Sequence, residues 1–474
     1  MSLTMRPKHQ GPFGFTSCPA DILYSVFELL SPAELHVLCL VNKKFRGIAE
    51  KFLYEKIQLT WQHPYDPPPV TQLLRTLISR PHLAAYIKTL HLAGKTPTLA
   101  SLVWDIRTIP VSSTELDEPI AFIRKTGVPY GDLWIQELQQ GTINAFVALL
   151  LAQLPNLRCL YLSPAFTQRS EIIGMVLRSA IFEPVDYGLP DFQYLRDVTY
   201  LLMIYHDRAR DKNVKNTADV LPFFYLPNVQ RISVSIESPL AITWPTPQLT
   251  VPSTLTSLVL TSARENYLGD LLSVTPHLKS LRWGWFYDFG IDDEVNMPIV
   301  DLDQIGDAIS CLRGTLTDLK ILAEIQLGGN DINLPAIKTV GSLSAMVNME
   351  NLRTLQVPLA FLVGFAQDTT KRLQDVLPRY LEHLTITYDL CLQNDEQMEP
   401  DWPEFEWEDH AVLGLLKSWL KDRKAFTPNL RGISLGLARN EIRDEEWDPS
   451  MRHQLTELGA QAGVPFDVIF TDEI

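Results

Sequence analysis

Two patterns of apolar positions divide this chain. Between Ala20 and Leu53, large apolar residues recur at helical spacing in three short runs. Ile22, Leu23, Val26, Phe27 and Leu30 mark the first run, since residues three and four apart share a helix face. Ser31-Pro32-Ala33-Glu34 opens the second. Ser31 suits the N-cap, Pro32 the first helical position, and Glu34 the return bond of a capping box. Leu35, Leu38, Cys39 and Leu40 follow, and the third run carries Phe45, Ile48, Ala49, Phe52 and Leu53. A segment of about 40 residues cannot bury this much apolar surface within itself. It therefore reads as one half of an interface.

Downstream the period changes. The pattern L-x-x-L-x-L, with Ile, Val or Trp allowed, recurs after breaks marked by proline or asparagine. The copies are Ile87/Leu90/Leu92, Leu157/Leu160/Leu162, Val229/Ile232/Val234, Leu255/Leu258/Leu260, Leu278/Leu281/Trp283, Leu316/Leu319/Ile321, Leu352/Leu355/Val357, Leu381/Leu384/Ile386 and Leu430/Ile433/Leu435. Their first positions are 70, 72, 26, 23, 38, 36, 29 and 49 residues apart, and three of these gaps lie in the leucine-rich-repeat range of roughly 20–29. The 72-residue gap has room for a degenerate copy at Leu195/Val198/Tyr200, and the 70-residue gap for an insertion around 94–132. Helix-like segments at 143–153, 302–312, 361–376 and 411–424 lie between copies. Stacked strand–helix units bury their apolar faces only against neighbours, which predicts an irregular leucine-rich-repeat-like solenoid of α/β class. The expected organisation is a flexible N-terminus at 1–15, a helical module at 16–60, a Pro-rich linker at 61–70 containing Pro67-Pro68-Pro69, and the solenoid at 71–474.

Composition narrows the function. Hydrophobic residues make up 46% and charged residues 20%, as in folded domains with a large core. A net charge of -15 argues against a nucleic-acid partner, whose phosphates need clustered Lys and Arg. Residues 18–60 balance five acids with five bases. Five dispersed cysteines with no C-x-x-C pair suit a reducing compartment. No apolar run follows the first residues, and the most apolar helical run, 145–152, is too short to span a bilayer. The expectation is a cytoplasmic or nuclear protein with no membrane partner.

The N-terminal segment resembles an F-box. The resemblance rests on Pro19-Ala20-Asp21-Ile22-Leu23, Val26-Phe27-Glu28-Leu29-Leu30, Glu34-Leu35 with Leu38, Val41-Asn42-Lys43-Lys44-Phe45-Arg46, and Leu53-Tyr54. The stretch from Leu74 to Leu90 resembles the start of fungal-type F-box proteins with leucine-rich-repeat-like domains. Membership implies docking on the Skp adaptor, and through it a cullin, of a ubiquitin ligase, with a protein substrate held by the C-terminal domain. It implies Pro19, Ile22, Leu23, Val26, Phe27, Leu30, Leu35, Leu38, Val41, Phe45 and Leu53 as adaptor-facing residues. Two positions depart from the family: Cys18, where it usually has Leu, and Asn42, where it often has Cys. The repeats also lack the asparagine or cysteine that the commonest leucine-rich form places three residues after its last strand leucine. The function expected is a non-enzymatic substrate receptor, with an F-box scaffold acting outside the ligase as the alternative.

Two aromatic clusters suggest where a target could bind. Trp283, Trp285 and Tyr287 run along one repeat strand, and Trp402, Phe405 and Trp407 are interleaved with eight acids in 393–410. Aromatics supply binding energy and acids steer basic partners; the alternatives are that the Trp283 cluster is core and that 393–410 is a solvated insertion whose aromatics fold back on the solenoid and whose last acids favour the next helix N-terminus. Gly432-Ile433-Ser434-Leu435-Gly436 matches a nucleophile-elbow pattern, but Ser434 falls inside a repeat strand, where the elbow needs a tight turn. It leaves a serine hydrolase as a remote alternative. The histidines show no paired-ligand spacing, so no metal or cofactor is expected.

Overall fold

A computed structural model describes residues 18–63, 66–94, 108–112, 115–167, 171–202, 216–237, 241–246, 254–288, 295–326, 337–367, 370–390, 407–438 and 449–471. The chain is a mixed α/β protein with one long parallel sheet. Three helices come first: α1 (Ala20–Phe27), α2 (Pro32–Val41) and α3 (Lys43–Leu53). The strands are β1 (Lys56–Trp61), β2 (Thr89–Gly94), β3 (Cys159–Leu162), β4 (Asp197–Tyr200), β5 (Arg231–Ser235), β6 (Ser257–Thr261), β7 (Ser280–Asp288), β8 (Ile299–Asp301), β9 (Asp318–Gln326), β10 (Lys338–Val340), β11 (Thr354–Pro358), β12 (His383–Thr387), β13 (Gly432–Ala438) and β14 (Phe466–Thr471). β8 and β10 pair with each other, and the other strands form the sheet in chain order. Every neighbouring pair in it is parallel.

The apolar repeat sets this register. Leu90, Leu160, Val198, Ile232, Leu258, Leu281, Leu319, Leu355, Leu384 and Ile433 pair in succession across the sheet. A second ladder two residues on runs from Leu92 through Leu162, Tyr200, Val234, Leu260 and Trp283 to Ile321. All are buried, because side chains two apart on a strand share a face. The helices between strands cover that face and join the same core. The Leu195/Val198/Tyr200 copy forms β4 as the pattern predicts.

A backbone stitch holds the strand N-termini together. The Glu55 carbonyl accepts both Lys88 N–H and Thr89 N–H, and the Lys88 carbonyl accepts Arg158 N–H and Cys159 N–H. The motif repeats at the carbonyls of Arg158, Arg196, Gln230, Thr256, Lys279, Thr317, Arg353 and Glu382. The asparagines that mark the breaks reinforce it. Asn156, Asn228 and Asn351 donate their side-chain amides to the carbonyls of Ala85, Gln193 and Gly314 on the preceding unit, at 2.7, 2.7 and 2.8 Å. These three bonds stand at the N-terminal ends of β3, β5 and β11, which are not neighbours in the sheet, and so make no continuous asparagine ladder.

Three expectations need correction. The sheet begins at Lys56, inside the expected helical module, because Ile57 and Leu59 pack on the sheet core and β1 pairs with β2. The expected linker is shorter at each end, since Trp61 belongs to β1 and Val70 opens the next helix, and both are buried. The helix expected at 361–376 is a short turn, Leu359–Val363, followed by a 3-10 turn at Leu373–Asp375. Gly364, at φ 81, breaks it. The expected insertion carries a helix at Asp117–Thr126, and a second helix, Gly131–Gln139, starts at its expected end. The stretch expected to be a flexible N-terminus, 1–15, lies outside the described residues.

The ladder makes a stability prediction. Leu258→Ala removes a fully buried side chain between Ile232 and Leu281 and is expected to cost about 2–5 kcal/mol. Val259→Ala, on the opposite face, is expected to cost less than about 1 kcal/mol. Urea unfolding of the two variants checks the difference.

Candidate functional site

The first three helices form a small body of their own. Leu23, Phe27, Leu35, Cys39, Phe45, Ile48 and Ala49 make a core separate from that of the sheet. Phe27 and Phe45 meet edge to face with ring centroids 5.7 Å apart. Local signals fix the helix ends. Ser31 N–H donates to Glu34 Oε2 at 2.8 Å, and Glu34 N–H to Ser31 Oγ at 3.4 Å, completing the expected capping box. The hydrogen bonds from Ser31 hold the Glu34 carboxyl below the usual carboxylate range. Asn42, one of the two departures from the F-box pattern, caps α3 by accepting Phe45 N–H at 2.8 Å. Its amide replaces apolar area with a helix cap.

The expected adaptor-facing residues divide into three groups. Leu23, Phe27, Leu35 and Phe45 are buried inside the module. Val26, Leu30, Leu38 and Leu53 are half-buried against that core. Pro19, Ile22 and Val41 are exposed. Three further apolar residues, outside the expected adaptor-facing set, are exposed: Leu29, Val37 and Leu40, at 86, 59 and 69% exposure. Val37, Leu40 and Val41 lie at i, i+3 and i+4 on α2, on the side opposite Leu35 and Cys39. α2 is therefore apolar on two sides, which its sequence displays without saying which side faces inward.

The module runs almost directly into the sheet. Tyr54 and Glu55 alone separate α3 from β1. Arg80 bonds Glu50 at 2.7 Å, and Lys88 pairs with Glu55 at 2.8 Å, across the junction.

The face of the sheet opposite the apolar ladders is polar. His91, Tyr161, Thr199, Ser233, Val259, Arg282, Lys320, Gln356, Thr385 and Ser434 form one registered row across it. The His91 and Tyr161 rings stack at 4.2 Å and 7°.

The expected aromatic target-binding residues lie elsewhere. Trp283 and Trp285 are fully buried and Tyr287 is 6% exposed. Trp283 Nε1–H donates to the Ala263 carbonyl at 2.7 Å, and Trp285 Nε1–H to Glu265 Oε2 at 3.1 Å. The Arg264 guanidinium lies 4.7 Å from the Trp285 ring, bonds Glu265, and donates to the carbonyls of Met297 and Ile299. These aromatics lock β7 to its neighbours. Trp407 is also buried, donating to the Gly364 carbonyl at 2.9 Å. Trp402 and Phe405 lie outside the described residues. Ser434 sits mid-strand opposite Thr385, while His453 is exposed on a helix near Glu457. Among the described residues no group of three or more His, Cys, Asp or Glu could hold a metal, and no helix is long and apolar enough to cross a membrane.

No family model matches this chain, and no curated protein matches it.

One buried acid near the aromatic cluster generates a pH prediction. β11 ends at Pro358 and pairs with β9 only as far as Lys320. Ala323 N–H is served instead by Asp389 Oδ2 at 2.9 Å. Burial pushes the Asp389 carboxyl up to about 6 from 3.8. A raised carboxyl stabilises the fold fully below its unfolded value, and that stability is lost as pH rises through about 6. Asp389→Asn keeps an oxygen for Ala323 and removes the titration. Its stability relative to the parent chain is expected to rise between pH 4 and 7 by on the order of 2–3 kcal/mol, then level off. Thermal melts across that range check this, and parallel curves would refute it.

Proposed function

We propose that this chain is a substrate receptor of a cullin-based ubiquitin ligase. In this reading α1–α3 are an F-box that docks on a Skp-type adaptor, and the parallel sheet with its helices is a leucine-rich-repeat-like solenoid that holds a protein target. The work is proximity: a lysine of the target is kept near the ubiquitin-loaded partner, with no catalytic residue required of this chain.

One observation carries the reading. The helical module has its own core and still leaves Ile22, Leu29, Val37, Leu40 and Val41 exposed. Covering each such side chain is worth about 1.5–3 kcal/mol, and apolar side chains gathered on a small surface mark a partner site. The F-box resemblance of the same segment suggests the partner class. A reducing compartment, cytoplasmic or nuclear, fits both the partner and the cysteines.

The burial pattern selects the mutants. Val37→Ser, Leu40→Ser and Val41→Ser combined are expected to abolish co-purification with a Skp-type adaptor while the melting temperature stays unchanged. Phe27→Ala is expected to lose the adaptor differently, by weakening the module's core by about 3–5 kcal/mol. Undiminished co-purification of the triple variant would overturn the assignment. Adaptor recovered without cullin would favour a scaffold role outside the ligase.

A further inference from the structure

The solvent-facing side of the sheet and the N-terminal ends of its strands carry cations that make no ion pair among the described residues. Arg158, Arg196, Lys279 and Arg282 are exposed and Lys320 is half-buried. They stand on or at the N-terminal ends of β3, β4, β7 and β9. Among the described residues none of the five has a carboxylate partner, whereas cations to either side of them and between them do. Lys88 pairs with Glu55 at 2.8 Å, Arg231 with Asp197 at 2.7 Å, and Arg353 and Arg431 share Glu382 at 3.6 and 3.0 Å.

Two of the five are placed against each other. Arg282 and Lys320 occupy the same register on adjacent strands, where like charges oppose one another and destabilise the pair. Folding gains nothing from that arrangement, but an anion laid across the two strands meets both cations at once. Between the two cation groups this face presents Ser233, Ser257 and the Arg231–Asp197 ion pair at 2.7 Å, and Asp318, two residues before Lys320, accepts a hydrogen bond from Ser280 Oγ at 3.2 Å, so each carboxylate here already has a partner.

We propose that the exposed face of the sheet, together with the N-terminal ends of its strands from β3 to β9, docks an acidic stretch of a partner protein through Arg158, Arg196, Lys279, Arg282 and Lys320. This rests on the reading of the sheet as the target-holding part and supplies the target's chemistry. The span is five strand steps, or about 24 Å at ~4.8 Å per step, which an extended segment of about seven residues crosses. The net charge of -15 does not forbid this, because screening confines each charge to about 8 Å at physiological salt. A single-stranded nucleic acid fits less well. It needs aromatic platforms for its bases, and the aromatic rings of this face's registered row, His91 and Tyr161, stack on each other.

The test uses the full chain and a fluorescein-labelled ten-residue peptide of alternating Glu and Ser, with binding read by anisotropy. Arg282→Glu with Lys320→Glu, and separately Arg158→Glu with Arg196→Glu, are each expected to weaken binding at least tenfold. The neutral pair Arg282→Gln with Lys320→Gln is expected to weaken it severalfold. Lys417→Glu with Lys421→Glu makes the same charge change at exposed positions of a helix away from these strands and is expected to leave the affinity within twofold. Unchanged affinity in the band variants, equal affinity for a Gln/Ser peptide, or tighter binding of a ten-nucleotide RNA would each overturn the proposal. Adaptor co-purification is measured on the same variants and is expected to be unaffected. Loss of peptide binding in the band variants supports the inference even if the parent chain fails to bind the adaptor, a result that sinks only the ligase reading.

Discussion

Neighbouring strands of this protein cover one another's inward side chains, and no strand can do so alone. Leu258 is buried because Ile232 lies on one side of it, Leu281 on the other, and helices lie above. The same holds along the sheet from Leu90 to Ile433. Stability in such a stack is a sum of nearest-neighbour terms, so the register of one strand is dictated by the next. A slip of one residue would turn the apolar pair toward water. The irregular spacing of the copies is tolerated because only the strand pair must align. Helices, turns and insertions of different lengths fill the connections.

The ladder was legible in the sequence because its period is short and its residues are unmistakably apolar. Ten strands of the long sheet coincide with the pattern, counting the degenerate copy at Leu195. The first and last did not declare themselves. Ile57 and Leu59 of β1 follow so closely on α3 that they read as the tail of the helical module. β14 presents Phe466 and Val468 without the leading leucine of the repeat. The direction in which a side chain points was less legible. Trp283 occupies a repeat position and could be placed inside, but burial of Trp285 and Tyr287 depends on β7 and β9 pairing beyond the usual strand length. In the helical module the split between Phe27 inside and Ile22 outside depends on how three helices cross, and helical spacing alone does not supply that.

The cations of the sheet were hidden for a different reason. Arg158, Arg196, Lys279, Arg282 and Lys320 are scattered over more than 160 residues and carry no local motif. Parallel pairing brings them to neighbouring strands. Net charge points the other way, since the chain is acidic overall, and a total says nothing about where opposite charges are left unpaired.

The backbone stitch makes that placement rigid. Arg158, Arg196 and Lys279 are among the residues whose carbonyls each accept two N–H groups from the next strand. Their Cα positions are therefore fixed by hydrogen bonds on the neighbouring unit, with only the side chains free to adjust. Recognition groups held on a rigid frame lose less entropy on binding than groups on loops. At the other end of the first strand's connection, only Tyr54 and Glu55 separate the sheet from the helical module, and Glu55 supplies the first carbonyl of the same stitch. A ligand on the sheet and a partner on α2 would thus be joined through a short, hydrogen-bonded junction. A long floppy linker would spread the distance between two bound partners and dilute each with respect to the other. A junction of two hydrogen-bonded residues narrows that distribution.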